Sequence, residues 1–196
     1  MPEPNFRRVV LRHSLGKKPI FTGFLVRPGS RKKFLASKAC ALAQLKSALK
    51  VSAKDSYSVA PVLKSCLIKL NKLPFVYTWD SNAPLYMSRA INSDPCRSLP
   101  KGKKYFFYVA PFITIRLDSN SKQAFQFWQR LAELVKRYPR ACLNPRAPSP
   151  GFEIESSGGK RGGPELISRD RLNSKLAEAR RFFREVEGIA DEFLGK

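Results

Sequence analysis

Two short runs, Asp80-Ser81-Asn82 and Asp118-Ser119-Asn120, are the first places where residue types and spacing in this chain could do chemistry. Each follows an apolar, β-branched run, FVYTW before the first and FITIRL before the second, and the two aspartates stand 38 residues apart. Two carboxylates brought together could grip Mg²⁺ for phosphodiester chemistry. Helix capping accounts for more of the pattern. Asp, Ser and Asn side chains all accept hydrogen bonds from the free N–H groups of a first helical turn, whereas metal binding uses only the Asp. The repeated order therefore reads strand, Asp-Ser-Asn, helix, and it predicts a helix after both runs. Three matching residues do not establish a duplication.

Other catalytic chemistry has little to stand on. His13 is the sole histidine, beside a turn and without a neighbouring acid, and reads as a surface or phosphate-contacting residue. No GxSxG, HExxH or Walker-type sequence occurs. Gly158, Gly159, Gly162 and Gly163 flank Lys160-Arg161, but without the Gly-Lys-Ser/Thr order of a phosphate loop this reads as a linker or a basic thread against RNA. Cys40, Cys66, Cys96 and Cys142 form no CxxC pair, so zinc is not expected. Cys40 and Cys66 fall in apolar helical patterns and read as small hydrophobes. The expectation is no catalytic residue, no cofactor, no metal and no small-molecule substrate.

Charge is the stronger signal. The 196 residues carry 37 Lys+Arg against 15 Asp+Glu, a net +22, and a field of that size attracts polyanions. Residues 1–50 hold a net +11, 51–100 a net +3, 101–150 a net +8, and 151–196 are neutral with nine of each sign. The basic residues fall in clusters. Arg7, Arg8 and Arg12 share a first strand, and Arg27, Arg31, Lys32 and Lys33 straddle a strand-to-helix junction. Lys101, Lys103 and Lys104 precede the strongest strand, while Lys136, Arg137, Arg140 and Arg146 run off a helix end, with Lys160 and Arg161 further on. Contacts of this kind to phosphate give affinity without sequence information. Phe6, Phe34, Tyr105 to Tyr108 and Tyr138 adjoin the clusters and are candidates for stacking on bases. In the strand they occupy, alternation assigns Tyr105, Phe107 and Val109 to one buried face and points Phe106 and Tyr108 elsewhere.

The elements that must hold these residues follow from periodicity. Residues 6–12 and 19–27 read as a hairpin turned at Gly16. Ser30 caps a helix over 31–50 whose stripe is Leu35, Ala39, Leu42, Leu45 and Leu49. A second helix fits 59–72, with Pro61 in its first turn, and 74–79 is a strand. Pro111 interrupts the β signal at 103–117, making an edge strand, a bulged strand or two short ones. The helix over 121–138 buries Ala124, Phe127, Trp128, Leu131, Leu134, Val135 and Tyr138. Residues 139–163 read as a Pro/Gly-rich basic connector. A long amphipathic helix over 164–194 repeats Leu172, Leu176, Ala179, Phe183, Val186, Ala190 and Phe193.

The expectation is an α+β fold: a small mixed sheet with packed helices over 1–138, the connector over 139–163, and a C-terminal helix over 164–196. That helix, through Leu172, Leu176, Phe183, Val186 and Phe193, is expected to dock on a neighbouring protein, because its mixed charge gains little from a phosphate field. A fold-back onto its own sheet is the competing arrangement. A folded basic core, a basic extension and a protein-binding helix are together the usual makeup of a ribosomal protein. The function expected is therefore a non-catalytic, RNA-binding structural component of a large ribonucleoprotein, with rRNA and neighbouring proteins as partners. The alternatives are a Mg²⁺-dependent nucleic-acid-processing enzyme using Asp80 and Asp118, and a DNA-binding protein. No run approaches the roughly 18–20 apolar residues of a membrane span. The start of the chain lacks an apolar signal core and is Arg-bearing and acid-poor, which favours a mitochondrial setting over a cytoplasmic or nuclear one.

Overall fold

Two periodicities, two for strands and 3.6 for helices, sort the described residues into nine strands and four helices. A computed structural model of the chain describes residues 9–15, 18–24, 30–50, 61–82, 85–90, 104–146, 151–156 and 165–195. In order these are β1 (Val9–Leu15), β2 (Lys18–Phe24), α1 (Arg31–Ala48), α2 (Pro61–Lys72), β3 (Val76–Asn82), β4 (Leu85–Ala90) and β5 (Lys104–Val109). They continue with β6 (Phe112–Leu117), α3 (Lys122–Arg137), β7 (Cys142–Arg146), β8 (Gly151–Glu155), β9 (Glu165–Ser168) and α4 (Arg169–Leu194). The class is α+β, as the sequence predicts. Every pairing among the described strands is antiparallel, in sheets ordered β1-β2, β3-β6-β8-β7 and β4-β5-β9.

Two of the sheets share the run that contains Pro111. Asn82 faces Phe112 and Leu85 faces Val109, so β3 pairs with β6 in one sheet and β4 with β5 in the other. Ala110-Pro111 lies between β5 and β6. Proline has no N–H to give to a ladder, so this run breaks there. The β signal at 103–117 is thus two short strands in two sheets.

One face of the four-stranded sheet carries the main core. Ile113, Ile115, Phe152, Ile154 and Leu143 point from β6, β8 and β7 into a layer formed by α2, α3 and α4. Ser121 caps α3 by accepting from the Ala124 N–H at 3.3 Å, and the helix buries the line predicted for it. Phe75, Phe127 and Phe193 meet edge-on at 5.6–6.0 Å, locking the strand entry to α3 and α4. A smaller cluster of Phe106, Tyr108, Ala110, Ile167 and Leu172 forms where α4 crosses the three-stranded sheet.

Several expectations are corrected. Residues 85–90 are strand β4, not a helix, because pairing with β5 outweighs the helix-favouring Leu, Met, Arg and Ala. Asp80-Ser81-Asn82 lies inside β3, so nothing there is capped. On α1 the inward line is Phe34, Lys38, Ala41 and Leu45, one step round from the predicted stripe. Leu35 (48% exposed) and Ala39 face solvent, as does Cys40. The apolar pattern misses this face because it contains Lys38, whose ammonium donates to the carbonyls of Leu73 and, at 2.5 Å, Val76. In β5 it is Phe106 and Tyr108 that are buried, under Ile167 and Leu172. Within the expected connector, 142–146 and 151–155 are strands of the main sheet. Pro145 is tolerated because β7 is an edge, and Phe152 and Ile154 alternate into the core.

The largest correction concerns α4. Phe183, Val186 and Phe193 lie in the chain's own main core, Leu172 lies in the smaller cluster, and Leu176 is half-buried against it. The face predicted to dock on a neighbour is covered by α2, α3 and the sheets, since a helix with that much apolar surface buries it at the nearest matching face.

Candidate nucleic-acid interface

Four acids of α4, Glu185, Glu187, Asp191 and Glu192, are engaged within the chain. Ser65 and Lys69 of α2 bond Glu187 and Asp191, at 2.9 and 2.6 Å, along two helices that run parallel. Arg130 of α3 forms a two-pronged pair with Glu192 at 2.9 and 3.2 Å, and Arg137 pairs with Glu185 at 2.9 Å, along helices that run antiparallel. Four of the nine acids of the last quarter are therefore bonded to α2 and α3.

What remains outside is basic. The end of α3 and the middle of α4 lie side by side, which brings the predicted Arg137 to Arg184 and Tyr138 to Arg181; Lys136, Arg140 and Arg180, close to these in the chain, are exposed. Tyr138 organises this end. Its hydroxyl donates to Glu185 and accepts from Arg181 Nε at 3.2 Å, while the Arg181 guanidinium sits 5.4 Å from the ring centre. Burial first, then the bond to Glu185, pushes the Tyr138 phenol above its usual range. Arg137, although paired, keeps 65% of its side chain in solvent, so its charge can still face a second anion. The neighbouring groove holds Arg130, Arg137 and Arg184 against Glu133, Glu185 and Glu192, three of each sign.

The three arginines of α4 were not among the sequence candidates. The run Arg180-Arg181 followed by Arg184 is the signal for them, concealed by the acids around it.

The other predicted bases are dispersed. Arg31, Lys32 and Lys33 form the exposed first turn of α1, which packs on β3 through Phe34 and Tyr77, with ring centres 5.2 Å apart. Since β3 and β7 are opposite edges of the sheet, and α3 lies toward β7, these two basic clusters stand at least about 14 Å apart. Arg12 lies in β1 opposite Phe21, Lys104 opens β5 opposite Ala90, and Arg146 closes β7 opposite Gly151. Arg7, Arg8, Arg27, Lys101, Lys103, Lys160 and Arg161 lie outside the described residues, as does Phe6. Of the aromatics proposed for stacking, Phe106, Tyr108 and Tyr138 are buried and Phe34 is half-buried against Tyr77.

Asp80 and Asp118 are not brought together. Asp80 pairs with Thr114, while Asp118 follows Leu117 and accepts the Asn120 N–H at 3.0 Å in a turn, with Ser121 as the cap. Four strand residues separate their levels, about 13 Å, too far to share one ion or two adjacent ones. Among the described residues no group of three or more His, Cys, Asp and Glu could hold a metal. The described cysteines, Cys40, Cys66 and Cys142, are unbridged. Cys142 lies 3.4 Å from Glu155, and burial, then that carboxylate, pushes its thiol up to about 12, which leaves it a poor nucleophile. No helix among the described residues is long and apolar enough to cross a membrane.

No family model matches the chain, and no curated protein matches it. Among solved structures it is similar to the PH1069 protein from Pyrococcus horikoshii, at 14% identity and a TM-score of 0.43, covering 84% of this chain and 94% of that one. A structure of PH1069 from P. horikoshii OT3 gives 17% and 0.45, covering 87% and 95%. A hypothetical protein from Aeropyrum pernix gives 13% and 0.32, covering 68% and 94%. Likenesses this distant assign neither a family nor an activity.

Proposed function

We propose that this protein is a non-catalytic RNA-binding component of a large ribonucleoprotein, of the kind ribosomal proteins are, and that it holds RNA phosphates with exposed basic residues on a folded core. The observation that carries this reading is the segregation of charge. Glu185, Glu187, Asp191 and Glu192 are engaged by Lys69, Ser65, Arg130, Arg137 and Tyr138 of the same chain, while Lys136, Arg140, Arg180 and Arg184 stand in solvent without an ion pair among the described residues. A net +22 with four of the α4 acids already paired within the chain presents a surface that like molecules avoid and polyanions seek. Neighbouring proteins of such a particle would have to use other surfaces than the α4 apolar line.

The test is RNA affinity of the full chain against salt. Log affinity should fall linearly with log salt, since each neutralised phosphate releases counterions. The Arg140→Glu, Arg180→Glu, Arg184→Glu triple variant should bind at least tenfold more weakly, with a slope shallower by about one per lost contact. Affinity that is flat in salt, or unchanged in the triple variant, removes the reading.

A further inference from the structure

Trp79 is 63% exposed at the one place where the β3–β6 register slips. Thr78 faces Ile115 and Asp80 faces Thr114, so Trp79 is the extra residue of a β-bulge. Bulges re-aim side chains, and here the effect is specific. Thr78 points to the core side, where Asn71 holds it, whereas the Trp79 ring lies against Arg116 and Asp80, next in the chain, is exposed.

Among the described residues, a cation lies over one face of the indole. The Arg116 guanidinium, itself 7% exposed, sits 5.8 Å from the ring centre. A cation fixed against one face sets the ring plane in advance, so a ligand stacking on the other face meets a prepared surface and less side-chain entropy is lost. Asp80 is also oriented: Oδ1 accepts the Ser81 N–H at 2.7 Å, and the residue is exposed. An exposed indole alone is ordinary. An indole backed by a buried arginine, next to an oriented carboxylate, has what a flat ligand with hydrogen-bond donors on its edge requires.

The surrounding charge says which ligand. Along α1, Lys38 reaches the Leu73 and Val76 carbonyls and Phe34 reaches Tyr77, so the helix tracks β3 and its first turn points toward Trp79. That turn is Arg31-Lys32-Lys33, all exposed, with no acid in it. Cations at a helix N-terminus are unfavourable to the helix itself, so they contribute more to an external anion than to the fold. Phosphates would go to α1, and the base edge to Asp80, where a phosphate would be repelled.

We propose that Trp79 and Asp80 form a base-binding site for single-stranded RNA. An unstacked base lies on the open face of the indole and donates from its edge to the Asp80 carboxylate, while Arg31, Lys32 and Lys33 take flanking phosphates. Guanine, whose N1–H and N2–H lie side by side, fits the carboxylate best. The site rests on the RNA-binding reading above and sharpens it from phosphate affinity to recognition of unpaired strands, since a paired base cannot reach the indole.

The experiment uses the full chain, a single-stranded RNA of about twelve nucleotides containing guanosine, the same length of oligouridine, and an RNA duplex. Trp79→Ala should weaken single-strand binding by on the order of tenfold, while leaving duplex binding and the salt slope unchanged, because stacking releases no counterions. Trp79→Phe should recover most of the loss. Asp80→Asn should erode the preference for the guanosine strand over oligouridine. RNA should quench tryptophan fluorescence in the parent and not in Trp79→Ala, whose remaining Trp128 is packed against Phe125 and Phe152. If Trp79→Ala binds single strands as tightly as the parent, or loses duplex equally, the site is wrong while the RNA-binding reading stands. If the parent binds no RNA at low salt, both fall.

Discussion

Asn71 holds Thr78 by two bonds: its side-chain oxygen accepts the Thr78 N–H at 3.1 Å, and its Nδ2 donates to the Thr78 hydroxyl at 2.7 Å. The same Nδ2 donates to the Leu67 carbonyl at 2.8 Å, so the end of α2 is tied to the last strand residue before the bulge. The bulge at Trp79 starts from the fixed position of Thr78, so the link bears on the proposed base site.

Asn71→Leu keeps the side-chain volume but leaves the buried Thr78 N–H without its partner. The expected cost is about 1–3 kcal/mol. Urea unfolding should show a lower midpoint at an unchanged slope. A midpoint equal to the parent's would mean that the Thr78 N–H finds another acceptor.

The C-terminal helix should be indispensable to the fold. Phe183 is fully buried between the sheet and the helical layer, so Phe183→Ala should destabilise by about 3–5 kcal/mol. Arg180→Ala on the outer surface should leave the melting temperature unchanged. A chain ending before Arg169 should fail to give a cooperative transition. A well-folded truncated protein would restore the detachable docking helix.

Lys38 predicts a pH dependence. Burial pushes its ammonium from 10.5 down to about 8, so the folded chain holds that proton less tightly than the unfolded one. The sign follows: as pH rises from about 8 to about 10.5, Lys38 adds stability, and as pH falls back through 8 that increment is lost. Other lysines and tyrosines titrate in the same range, so the measurement is a difference. Stability of the parent minus that of Lys38→Met should increase between pH 7.5 and 10.5. A constant difference would place Lys38 in solvent.

Local patterns were enough for the elements whose order depends on neighbours in sequence. The apolar line of α3 repeats every 3.6 residues, and its buried residues are those the spacing names, because helix faces are set within a few turns. The α+β class follows from the same evidence, and the net charge pointed to a polyanion without any structure. The Asp-Ser-Asn echo, by contrast, split into a bulged strand and a capped turn once partners were known.

Tertiary pairing decided the rest. Leu85–Ala90 has helix-forming residues and becomes a strand because β5 offers a ladder; Gly151–Glu155 alternates cleanly but is masked by the prolines around it. The predicted face of α1 is off by one step because Lys38 points inward to carbonyls 35 and 38 residues away, contacts no apolar pattern encodes. Trp79 becomes an exposed platform only through a register slip against β6. The meaning of the balanced last quarter also lies in distance along the chain: Glu192 pairs with Arg130, 62 residues back, and Asp191 with Lys69, 122 residues back. A charge count is a sum over residues, whereas electrostatic energy depends on which charges meet. Composition could therefore state that this chain carries a large positive excess, and only the packing of α4 between α2 and α3 could decide which of its acids are paired and which of its arginines are left at the surface.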